Sequence, residues 1–210
     1  SLARRLIASD PQALFDARPF LNNEHALEVQ LPFLQKTLGS FSLVPVEMGD
    51  LTYADCERFA ISLASALHGR QDVLIVASTD LSHFHSYQDA QKIDARTIGT
   101  IERFAPRELF AGIANDDFQL CGGTAVVTAL LAAQKLGGTQ VSVLKYANSG
   151  DTAGTHDRVV GYLSAAVTVV ADLLPPAAGQ IDTTTVNKEE RMLTRAQKER
   201  LLQIARGTIR

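Results

Sequence analysis

The chain has 210 residues, 46% hydrophobic, 20% charged and 6% aromatic, with no Trp. This is globular composition, which excludes disordered, collagen-like and fibrous readings, and about 200 residues bury a full core without disulfides or structural metals. A net charge of -3 supplies no strong basic field, so no nucleic-acid partner is expected.

Two cysteines, Cys56 and Cys121, make neither a disulfide framework nor a CxxC motif, and a reduced, cytoplasmic compartment is the simplest reading. No apolar run reaches the roughly 18 residues of a membrane span, so no membrane partner is expected. The first residue is Ser1, so a native N-terminus is not visible.

In chain order, Glu24 to Leu38 reads as a helix, with Leu27, Leu31 and Leu34 near helical spacing and Pro32 dividing a loop from a shorter helix. Phe41 to Met48 reads as a strand ended by Gly49-Asp50. Ala54 to His68 is helical, with Gly69 as its stop signal. Val73 to Ser78 (VLIVAS) is a continuous apolar run, expected as a central strand covered on both faces.

Asp89 to Phe104 is an amphipathic helix, Pro106 to Ile113 a shorter one, and Cys121 to Leu136 a third, ended by Gly137-Gly138. Val141 to Ala147 and Val159 to Val170 are two further strands. Apolar strands alternating with helices predict an α/β fold with a mostly parallel sheet flanked by helices, where chemistry gathers in loops at strand ends.

Residues 173–187 (LLPPAAGQIDTTTVN from Leu173) change character and read as a linker that follows a domain over 1–172. Residues 188–210 then read as the first helix of a second domain, cut off at Arg210. Thr194 with Gln197 makes a capping box there. A terminal helix docked back on the body is the alternative.

Four constellations could carry chemistry. The first is Asp80, His83 and His85 directly after the central strand. An imidazole titrates near neutral pH, so His83 is a candidate general base, with Asp80 to orient its ring. A capping Asp and a surface His pair would leave the same letters.

The second is Leu120-Cys-Gly-Gly-Thr124 at a helix start. There the positive end of the helix dipole favours a thiolate, which is either a nucleophile or a soft metal ligand. A small buried residue packing the helix is the alternative, and Cys56, inside a helix, takes that reading. The third, Asn23 to Glu28 with His25, is weaker, since a helix cap explains most of it. The fourth, Asn148 to Thr152, suits a turn.

Four phrases coincide in order: EHALEVQLPFL (24–34), ASTDLSHF (77–84), CGG (121–123), and NSGDT followed by VVGYLS (148–164). Together they resemble the Memo family, also called AmmeMemoRadiSam system protein B. The tail LTRAQKERLLQIARGTI resembles the opening of AmmeMemoRadiSam system protein A, as in a fused B–A chain.

The resemblance implies a fold like that of class III extradiol dioxygenases. It also implies a metal-type cleft lined by two His from the N-terminal part, a Cys, and a further His beside an Asp. Cys121 matches the metal-ligating Cys, His83 the acid/base His, and Asp80 its neighbour. His25 matches a motif His at the cleft rim. The family's PHAGY-like and GPSHH-like phrases, which carry the first two His, do not occur here. The chain is therefore expected to begin after them, with an incomplete ligand set.

Three functions follow. The first is metal-dependent redox or dioxygenase-like chemistry, with iron(II) or copper at Cys121 and proton transfer by His83. The second is a non-catalytic ligand- or protein-binding module, acting with a fused AmmeMemoRadiSam protein A domain and a radical SAM partner. The third is a metal-free thiol enzyme with Cys121 as nucleophile, His83 as base and Asp80 as orienter. They rank in that order.

Overall fold

A computed structural model describes residues 1–16 and 25–170. Helices α1 (Leu2–Ser9), α2 (Leu31–Leu38) and α3 (Tyr53–Leu67) precede strand β1 (His83–His85). Then come α4 (Tyr87–Glu102), α5 (Pro106–Ala114), α6 (Gly123–Lys135), β2 (Gln140–Asn148), the single turn α7 (Gly150–Ala153) and β3 (Val159–Thr168). The linker and tail helix expected over 173–210 lie outside the described residues, as do Asn23 and Glu24.

The helices form where punctuation and periodicity place them. Pro32 lies in the first turn of α2, where its missing N–H is no loss; a 3₁₀ turn, Glu28–Gln30, leads into it. Thr52 caps α3 by accepting from the Asp55 N–H, while Asp55 accepts from the Thr52 N–H, a reciprocal box. Gly69 ends that helix with a φ of +73° that a side chain would resist.

The core lies between α3, α5 and α6. It holds Cys56, Ala60, Leu109, Val127, Leu130, Leu131 and Ala132, with Val141 of β2 against them. Leu109 and Val127 are fully buried, each contributing about 1.5–3 kcal/mol of transfer free energy. Cys56 is sealed in this core, where burial pushes its thiol pKa up, as befits a packing residue.

The sheet departs from expectation. Among the described residues it has three strands in the order β1-β3-β2, and both pairings are antiparallel. β2 and β3 run from Gln140 opposite Thr168 to Asn148 opposite Gly161. The strands expected at Phe41 to Met48 and Val73 to Ser78 are not formed. In the second, Ile75 and Ala77 pack on the core, while Leu74 and Val76 are 66% and 46% exposed. That segment is thus covered on one face only, and hydrophobicity alone makes no strand without a ladder partner.

Strand β1 is short because it bulges. His83 opposes Val160 and His85 opposes Val159, so three residues of β1 span two of β3. Phe84, between them, takes a left-handed φ of +62°, which costs a non-glycine residue of order 1–2 kcal/mol. Its ring lies under the Arg158 guanidinium, 4.9 Å from the centroid.

Candidate metal centre

The segment leading out of Val73 to Ser78 meets the turn before α6. Cys121 immediately precedes Gly122, the N-cap residue of α6, so its sulfur lies near the positive end of a 13-residue helix. The Asp80 N–H donates to Cys121 Sγ at 3.1 Å, and the Thr79 hydroxyl stands 3.7 Å from the same sulfur. The Gly122 N–H donates to Thr79 Oγ1 at 2.9 Å, and that hydroxyl donates to the Asp80 carbonyl at 2.8 Å. The two segments are therefore stitched together around the sulfur.

Gly122 permits this approach. A Cβ there would overlap the Ser78 carbonyl oxygen and stand 3.0 Å from Thr79 Cβ. Gly123 is likewise close-packed, against the Ile113 side chain. The glycine pair read from the sequence thus has a steric cause.

Asp80, His83 and Cys121 converge. One ligand atom from each lies within 4.8 Å of the other two. His83 Nε2 is 3.5 Å from Asp80 Oδ2, with both side chains part-exposed, so the contact is loose. The cluster opens to solvent on the Cys121 side, since that thiol is free and exposed. Thiolate, imidazole and carboxylate around one point make a donor set suited to a divalent transition metal.

Other candidates lie elsewhere. His25 is two-thirds exposed, and its Nδ1 pairs with Glu28 at 3.0 Å; it is not part of the cluster. Its 3₁₀ turn does reach this region, because the Gln30 amide donates to Ser78 Oγ at 2.9 Å. His85 Nε2 contacts Gln119 Oε1 at 2.9 Å. His156 is exposed and its ring packs against Tyr87, 4.6 Å between centroids.

The Asn148 to Thr152 phrase folds as a turn into α7. Asp151 accepts from the Asn148 N–H and from the Tyr87 hydroxyl. These bonds hold the Asp151 carboxyl below its usual range, chiefly through Tyr87. A groove between α1, α3 and residues 43–49, lined by Leu6, Val46, Arg58 and Phe59, contains none of the cluster residues.

The Tyr162 hydroxyl on β3 is pushed above its usual range by burial and then by the Asp80 charge. Sequence reasoning missed two contributors: Thr79 and Asp94. Asp94 left no signal, being one acid on an amphipathic helix.

Residues 2–166 match the model of a protein family described as Memo-like protein. A MEMO1 family protein of Thermotoga neapolitana is 39% identical over 142 residues, covering 68% of this chain and 50% of its own length. Those of Aquifex aeolicus and Methanocaldococcus jannaschii are 37% and 36% identical, covering 67% and 69% of this chain and 52% of their own length in each case. The chain spans about half the length of the curated relatives it matches. No helix among the described residues is long and apolar enough to cross a membrane.

Proposed function

The chain belongs to the Memo-like protein family, and from that premise we propose that Asp80, His83 and Cys121 hold a divalent transition metal, iron(II) or copper, for redox or dioxygenase-like chemistry. The observation that carries this is the convergence of three different donors within 4.8 Å. When bound, such a metal supplies a Lewis acid and a one-electron couple.

The chain's own residues do the rest. The Asp80 N–H donates to Cys121 Sγ and so fixes where the sulfur stands beside the start of α6. The open face beside Cys121 admits a small ligand.

Metal analysis of the full chain tests the proposal. Wild type is expected to retain iron or copper near one per chain, and Cys121→Ala to lose most of it. Equal occupancy in both refutes the assignment of Cys121.

A second reading keeps His83 off the metal as the acid–base group. The 3.5 Å contact favours it, because His83 Nε2 faces the Asp80 carboxylate, which accepts from it, and Nδ1 is left free to take up a proton. Full metal occupancy in His83→Ala supports this reading, and loss of metal supports the first.

The wider parallel sheet of class III extradiol dioxygenases belongs to the same proposal. The alternating burial of Leu74, Ile75, Val76 and Ala77 has the two-residue period of an extended segment with one covered face, which supports that reading. Partnership with a radical SAM protein and an AmmeMemoRadiSam protein A domain belongs to the proposal too; co-purification of either with the tagged chain would support it.

A further inference from the structure

Ser82, directly before His83, has both its backbone N–H and its carbonyl bonded to other elements. Its N–H donates to Asp94 Oδ1 at 3.0 Å. Its carbonyl accepts from the Gly161 N–H at 2.9 Å, and the Leu81 N–H donates to the Gly161 carbonyl at 2.9 Å. β3 thus holds one side of the Leu81-Ser82 step and α4 holds the other.

The α4 side rests on one carboxyl. Asp94 is fully buried. Its Oδ2 accepts from the Tyr146 hydroxyl at 2.8 Å, and burial followed by this bond pushes the Tyr146 hydroxyl above its usual range. A Cβ at Gly161 would collide with Oδ2, so that glycine leaves the space the carboxyl occupies. A fully buried acid is rare unless it is paired. This one links α4, β2 and β3 to the residue between Leu81 and His83, and the cap and ladder bonds of those elements do not require it.

We infer that Asp94 is a positioning residue for the metal centre: through Ser82 it fixes where Asp80 and His83 stand relative to Cys121. The inference rests on the metal reading for its ligand. Its geometric content concerns the Asp80–His83 segment and can be measured without metal. Outer partners that orient ligands typically change metal affinity 10- to 100-fold. Asn at position 94 still accepts the Ser82 N–H at Oδ1 and offers an N–H to the Tyr146 oxygen, whereas Ala does neither.

The test titrates the full chain with cobalt(II), followed by thiolate-to-cobalt absorption. In parallel, amide hydrogen exchange is followed at Asp80 and Ser82 in metal-free protein. Asp94→Ala is expected to raise the cobalt Kd at least about tenfold and to speed exchange at both amides. Asp94→Asn is expected to restore most of both, and Tyr146→Phe to fall between. Leu109→Ala, a core cavity on α5, which bears no ligand, lowers stability without moving the cobalt Kd.

Wild-type cobalt affinity and unchanged Asp80 exchange in Asp94→Ala would overturn the inference. Should Asp94→Ala fail to fold, Tyr146→Phe and Asp94→Asn decide, and identity of both with wild type and with each other would overturn it. If wild type itself binds no cobalt, the metal reading fails. The exchange at Asp80 then still decides whether Asp94 positions that segment.

Discussion

Replacing Gly122 by Ala tests the closeness on which the metal centre depends. The added Cβ would overlap the Ser78 carbonyl oxygen, well inside the 3.0 Å that real Cβ atoms respect. That oxygen belongs to the backbone and cannot rotate away. The Cys121–Gly122 turn and the Ser78–Asp80 segment must therefore separate by about half an ångström or more, in the manner of an overpacked core.

Metal–ligand lengths tolerate only about 0.2 Å, so the cobalt Kd is expected to rise at least about tenfold, near 1.4 kcal/mol. Overpacking of this kind also lowers stability by about 1–3 kcal/mol, measured by urea unfolding. Gly99→Ala is the control, since its Cβ would meet Arg103 Nη1 at an ordinary 3.5 Å, and it should leave the Kd unchanged. Wild-type cobalt affinity in Gly122→Ala would refute the claim that backbone contact at 78–80 sets the position of the sulfur.

Three further outcomes are expected. Leu109→Ala, at a fully buried core position, should cost about 2–5 kcal/mol in urea unfolding. Thr52→Ala removes the α3 cap and should cost about 1 kcal/mol by the same assay. The Thr52 hydrogen bonds, then Arg58, hold the Asp55 pKa at about 2, below its ordinary 3.8. Because the folded value is the lower one, the stability it contributes is full above pH 3.8 and fades as pH falls toward 2. Acid unfolding of Asp55→Asn should accordingly show a weaker pH dependence across that window, and an unaltered profile would contradict the cause assigned.

The helices were legible because their signals are local. Pro32, Pro106, Gly69 and Gly137 punctuate the chain where α2, α5, α3 and α6 start or stop. The β2 and β3 strands were legible from their apolar runs. Strand direction was not, because pairing is a long-range property that VLIVAS cannot encode alone. The meeting of Cys121 with Asp80 and His83 was expected from motif order, and the convergence at 4.8 Å is its geometry. Asp94 and Thr79 were illegible, since the bonds that tie them to the site, to the Ser82 and Gly122 N–H groups, are to backbone, which carries no letter in the sequence.

In an unbroken strand, side chains two apart project from the same surface, and the imidazoles at 83 and 85 would compete for one direction. The extra residue in β1 shifts that phase. One ring turns to Asp80 and the other to Gln119. A single unfavourable dihedral at Phe84 thereby divides two chemically identical groups between separate neighbourhoods. Deleting that one aromatic position would leave the two imidazoles adjacent in a regular ladder, on opposite faces of the strand.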